Sequence, residues 1–161
     1  MPAEGNRDRQ SSLQSRLIRA GLADSDAALS LLLSPSLSTL SDEFVDDLGV
    51  APDPDLALLS LVRIGESEHP DVADFLDELN GDPSLRRRAL GVLGTSAALG
   101  DHLARHPRHW TVLRGAEDLS LADAPTLRRR LLESVGADHG ASTPIARGHD
   151  IAVLENLRVA Y

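Results

Sequence analysis

Apolar residues recur along this chain at spacings of three and four, the period of a helix with one buried face. The clearest case follows Pro70, where Val72, Phe75, Leu76 and Leu79 fall at i, i+3, i+4 and i+7 and Asn80-Gly81 closes the run. Leu13, Leu17 and Ile18 predict an earlier helix with Gly21 as its stop. The next is capped by Asp24 or Ser25 and carries Ala27, Ala28, Leu29, Leu31, Leu32 and Leu33 until Ser34-Pro35 ends it. Leu37, Leu40, Phe44, Val45 and Leu48 make a weaker stripe closed by Gly49. Asp53-Pro54 then opens a helix in which Leu56, Leu58, Leu59, Leu61, Val62 and Ile64 are apolar nearly all round, as a central helix of a bundle would be.

Residues 82–115 predict three short helices in quick succession. Asp82 caps the first, with Pro83 where a missing N–H costs nothing. Gly94 breaks that run, Thr95 or Ser96 caps the second helix, and Pro107 starts a third that carries Trp110 and stops near Gly115. A further helix spans 123–136 with Leu127, Leu131, Leu132 and Val135 on one face, residues 137–148 read as a loop, and a last helix runs through Ile151, Leu154, Leu157 and Val159. No stretch alternates with the period of a strand. The pattern predicts an all-α bundle of about seven to nine short helices without a sheet: 1–10 a polar, disordered N-terminus and 11–161 one helical domain. The final helix has no stop signal before Tyr161, so its apolar face reads as open there.

Composition changes this picture little. At 161 residues, 42% apolar and 25% charged, the chain has the balance of an ordinary folded domain. Every positive charge is an arginine, since the sequence contains no lysine. A net charge of −9 argues against nucleic acid as the main partner. Zero cysteines remove disulfides, thiolate catalysis and cysteine-based zinc sites. Neither a signal-peptide core nor a membrane-length apolar run occurs, which points to the cytoplasm and away from a membrane.

The run Leu93-Gly-Thr-Ser-Ala-Ala-Leu-Gly-Asp-His-Leu-Ala-Arg-His-Pro-Arg-His-Trp110 resembles the N-terminal helical region of the glutamine synthetase adenylyltransferases, of actinobacterial type. The likeness is good over about 51–161 and thin before it, within the usual boundary margin of a few residues. It implies a full-length enzyme that uses ATP and magnesium to attach AMP to a tyrosine of glutamine synthetase, and a paired domain that removes it by phosphorolysis. Glutamine and the PII signalling protein are the implied regulators. In that family, Leu-Arg-Val-Ala-Tyr, found here at 157–161, leads into a long helix and then the first nucleotidyltransferase domain, so the chain reads as ending before the catalytic part. Each catalytic domain of the family carries a Gly-x-Ser-Asp-x-Asp type motif. Asp46-Asp47 and Asp53-Pro54-Asp55 lack both its Gly-Ser and its strand, so no catalytic, cofactor or metal residue is carried over. The expected role is a non-catalytic helical scaffold packed on the enzyme's own C-terminal catalytic domains, inactive alone. The alternative is a free-standing interaction module.

Four groups invite sharper readings. His102 and His106, with Asp101 alongside, stand at i, i+4, a spacing that can place two imidazoles on one metal. Pro107 breaks the helix before His109, so the third histidine is expected on a different axis, and solvated or capping histidines are the plainer reading. Gly91-Val-Leu-Gly-Thr-Ser96 invites comparison with a phosphate loop but lacks its lysine and preceding strand, and reads as a helix break. Arg86-Arg87-Arg88 and Arg128-Arg129-Arg130 fan round their helices. They face a chain in which residues 42–80 hold twelve Asp or Glu against only Arg63, while 81–161 hold eleven Arg against nine Asp or Glu. The plain reading is two solvated faces in weak attraction, the sharper one an interdomain or partner surface. Trp110 is expected to anchor packing between helices.

Overall fold

A computed structural model describes residues 3–114, 123–147 and 151–154, and among these every regular element is helical. Eight α-helices follow in order: α1 Ala3–Ala20, α2 Ser25–Leu32, α3 Phe44–Leu48, α4 Pro54–Gly65, α5 Asp71–Gly81, α6 Pro83–Leu93, α7 Ala97–Arg105 and α8 Ala124–Ser134. Two 3₁₀ segments, Pro35–Leu37 and Pro107–Leu113, lie between them. The chain divides into two compact units, 1–114 and 115–161.

The helices begin where side chains can satisfy the first free N–H groups. Asp24 accepts from the amides of Asp26 and Ala27, Asp53 from Leu56, Asp82 from Ser84 and Leu85, and Asp123 from Thr126. Ser96, not Thr95, caps α7 by accepting from the Leu99 amide; the Thr95 hydroxyl instead donates back to the Gly91 carbonyl at 2.6 Å. At the far end of α1, Gly21 has φ +90°, a conformation that side chains resist, and this turns the chain into α2.

In the first unit α4 lies at the centre, against α7, α6, α2, the 3₁₀ segment Pro35–Leu37, α5 and α3. Its core is leucine-rich: Leu13, Leu17, Leu37, Phe44, Leu48, Leu58, Leu61, Ile64, Phe75, Leu79, Leu85 and Leu90 are all inaccessible to solvent or nearly so. Where α4 meets α7, Gly100 stands against Ser60, and a Cβ at Gly100 would fall 2.5 Å from the Ser60 hydroxyl. Glycine there permits the close crossing, and the Ser60 hydroxyl is buried without a hydrogen-bond partner.

Several expectations change. Residues expected to be disordered at the N-terminus are helical from Ala3, and Arg9 ties that helix to Asp42 through a bidentate ion pair (2.6 and 3.0 Å). Ile18, grouped with Leu13 and Leu17, is 61% exposed, because one residue beyond Leu17 the helix has turned its side chain away from the core. Leu59 likewise faces solvent, so α4 is not buried all round, and Ser60 takes the interior position. The stripe of 37–48 is buried as read, but a 3₁₀ turn and the five-residue α3 carry it. Pro107 starts a 3₁₀ segment rather than an α-helix.

In the second unit, α8 has the apolar face expected of it, yet no residue of α8 is buried. Residues 137–147 are irregular and 151–154 are helical. Leu157, Val159 and Tyr161 lie outside the described residues. No helix is long and apolar enough to cross a membrane, among the residues described.

Candidate functional site

The first arginine triplet is a structural device rather than a solvated face. Leu85 is fully buried in the core and draws Arg86 with it, leaving Arg86 only 5% exposed. The Arg86 guanidinium donates from Nε to Asp47 at 2.5 Å and from Nη1 to the carbonyl of Leu79 at 2.9 Å, at the C-terminal end of α5. Arg87 reaches the other Asp47 oxygen at 3.4 Å, and Arg88 donates to the carbonyl of Leu113 at 2.7 Å, the end of the second 3₁₀ segment. Carbonyls at helix ends lack intrahelical donors and carry partial negative charge, so a guanidinium is well matched to them. Asp47, read in the sequence as part of an acidic run that lacks the catalytic motif, is the hub of this network.

Other acidic side chains of residues 42–80 are engaged in the same way. Asp46 pairs with Arg16 at 2.8 Å, and Asp55 accepts from the amide of Ala23. The guanidinium of Arg9 holds the Asp42 carboxyl below its ordinary range, and that of Arg16 does so for Asp46. The amide of Leu85 lowers Asp82, and the hydroxyl and amide of Thr126 lower Asp123. These carboxylates serve ion pairs and helix caps.

Trp110 packs as expected of an anchor. It is buried against Phe75 with ring centroids 5.7 Å apart. The guanidinium of Arg114 lies over the Trp110 ring, 4.5 Å from its centroid, and pairs with Glu78. A groove of about 660 Å³ runs beside this stack, lined by Asp74, Asp77, Glu78, Asp82, Trp110 and Arg114 among others.

The histidines come closer together than the helix break at Pro107 suggested. His102, His106 and His109 have ring centroids 5.0–5.4 Å apart, and His102 Nε2 stands 2.8 Å from His109 Nδ1. One of those nitrogens donates and the other accepts, so at least one of the two rings is neutral. The 3₁₀ segment, tighter than an α-helix, brings His109 back over α7. No group of three or more candidate ligands among the described residues has the arrangement to hold a metal ion. The glycines at 91 and 94 belong to the end of α6 and the break after it, as read. Asp101 pairs outward with Arg63 at 3.0 Å.

Comparison with known proteins adds what geometry alone does not. The chain is 50% identical over 109 residues to the bifunctional glutamine synthetase adenylyltransferase/adenylyl-removing enzyme of Streptomyces avermitilis, a match of 65% of this chain and 11% of that protein. It is 42% identical over 151 residues to the enzyme so named from Streptomyces coelicolor, covering 80% of this chain and 15% of that one. The likeness to the Mycolicibacterium smegmatis enzyme is 38% over 143 residues, or 83% and 13%. The chain is homologous to a segment of the glutamine synthetase adenylyltransferases. It spans between about a tenth and a sixth of the length of these relatives. The matched stretch of the Streptomyces coelicolor enzyme is long enough to take in most of the helical fold, not only the run 93–110 that carries the resemblance. No family model matches the chain, and no solved structure matches it.

Proposed function

We propose that this chain is the helical scaffold segment of a glutamine synthetase adenylyltransferase, supplying structure to the enzyme and none of its chemistry. The similarity to three enzymes of that name is the observation that carries the reading. The use of the carboxylates supports the non-catalytic part. Transfer of a nucleotidyl group needs clustered carboxylates free to hold magnesium on the triphosphate. Here Asp42, Asp46 and Asp47 are tied to arginines, and Asp53, Asp82 and Asp123 close helix N-termini. ATP and magnesium belong, on this reading, to catalytic domains elsewhere in the enzyme. Those domains act in the cytoplasm on glutamine synthetase under control of the PII signalling protein.

The scaffold role is testable in trans. The Streptomyces avermitilis enzyme, expressed without its matching segment, is expected to lose AMP transfer to glutamine synthetase and to regain part of it when this chain is added. Loss of activity without any recovery, together with no binding of this chain to the shortened enzyme, overturns the scaffold reading.

A further inference from the structure

The two arginine triplets share a local sequence, and the structure shows what that sequence does when it is covered. Asp82-Pro83-Ser84-Leu85-Arg86-Arg87-Arg88-Ala89-Leu90 opens α6, and Asp123-Ala124-Pro125-Thr126-Leu127-Arg128-Arg129-Arg130-Leu131-Leu132 opens α8. Both begin with an aspartate cap, a proline in the first turn and a hydroxyl residue before the leucine. In α6 the leucine is buried, the first arginine holds a carboxylate and the carbonyls at the end of a helix, and the third holds the carbonyl at the end of another. In α8 the same positions are bare. Leu127 is 38% exposed, and Arg128, Arg129 and Arg130 are all exposed, with no hydrogen bond or ion pair to an acceptor among the described residues. Arg129 acts on Asp123 only through its field. Beside this turn lies an open cleft of about 570 Å³, lined by Ala124, Pro125, Thr126, Arg128, Arg129 and His139.

We infer that the Leu127–Arg130 turn of α8 docks a protein surface that presents a helix C-terminus beside a carboxylate, with an apolar hollow for Leu127. The internal precedent selects this chemistry. A fan of guanidiniums that in α6 reaches two helix ends and one aspartate is spread too widely to converge on one small anion, and a chain of net charge −9 is a poor fit to nucleic acid. The inference rests on α8 and its counterpart α6, and it holds whether or not the scaffold reading does.

The test uses the full 161-residue chain and defined probes, followed through the arginine Nε–H and leucine methyl NMR signals. The main probe is a stapled alanine-rich helical peptide with aspartates beside its last turn. Its controls are the same peptide with the aspartates at its first turn, poly-aspartate, polyphosphate and phosphatidylglycerol vesicles. At about 0.15 M salt, where exposed charges farther apart than ~8 Å are screened, the main peptide is expected to bind most tightly and to shift Leu127 and Arg128–Arg130. The R128E/R130E variant is expected to weaken that binding by about tenfold or more, and L127D to a similar degree, while R128K/R130K keeps the charge, loses the fork and falls between. Since no residue of α8 is buried, these variants should retain the parent's backbone spectrum elsewhere. The inference is overturned if no probe binds, if polyphosphate, vesicles or the first-turn peptide bind as well as the main one, or if R128E/R130E binds unchanged.

Discussion

Replacing Arg86 with alanine should cost far more than an arginine in a charged surface run would suggest. Arg86 is 5% exposed and its partner Asp47 has a side chain 15% exposed, so the pair is largely out of water. Deleting the guanidinium removes a bond of 2.5 Å to Asp47 and one of 2.9 Å to the Leu79 carbonyl. Asp47 keeps only Arg87, at 3.4 Å and on the solvent side. Breaking a buried pair from one side costs about 3–5 kcal/mol, because a charge is left behind without its partner. A domain of this size has about 5–15 kcal/mol in total, so Arg86→Ala should bring the first unit close to unfolding. Urea denaturation followed by the fluorescence of Trp110 reads that unit, since Trp110 is the chain's only tryptophan and lies in its core. The double variant Asp47→Asn with Arg86→Met removes both charges while keeping most of the volume, and should recover most of the loss. A cost for Arg86→Ala below about 1 kcal/mol, the value of an exposed pair, would refute the buried network.

Three further outcomes follow from the same structure. Ser60→Ala should stabilise the protein by about 1 kcal/mol, because it removes a buried hydroxyl that has no partner, and a thermal melt would show the midpoint rise. Gly100→Ala should destabilise it by about 1–3 kcal/mol, since the new Cβ meets the Ser60 hydroxyl at 2.5 Å and its Cβ at 2.9 Å; an unchanged melting midpoint would show that the helices do not cross so closely. Asp42 and Asp46 have lowered values in the folded protein, set mainly by hydrogen bonds from Arg9 and Arg16. Their contribution is therefore complete above the unfolded aspartate value near ~3.9 and is lost as pH falls through the lowered values, so Asp42→Asn with Asp46→Asn should flatten the acid limb of a stability–pH curve.

Local signals in the sequence carried much of the fold. Aspartate followed by proline marks a helix start for chemical reasons that need no tertiary context, and Asp53 and Asp82 cap where that pattern places them. The i, i+3, i+4, i+7 stripe after Pro70 is buried at all four positions. What the sequence concealed depends on neighbours far along the chain. Arg86 and Arg128 stand in almost the same local pattern, yet one is buried and the other exposed, because Asp47 and the end of α5 happen to lie beside the first. Ile18 and Leu59 are apolar residues beside a core face, and periodicity of a few residues does not fix where that face ends. His109 meets His102 because residues after Pro107 wind as a 3₁₀ turn, a choice among helix types that spacing does not specify. For function, composition and spacing yielded only an all-helical chain without catalytic motifs; the run from Leu93 to Trp110 pointed to the enzyme family, and the relatives bear that out.

Whether this chain carries any of the enzyme's chemistry is read from the mass of glutamine synthetase after incubation with the purified chain, ATP and magnesium. No AMP adduct is expected on any tyrosine, while the Streptomyces avermitilis enzyme, run in parallel, produces one. An adduct formed by this chain alone, with catalytic turnover and lost on removing magnesium, would contradict the scaffold reading.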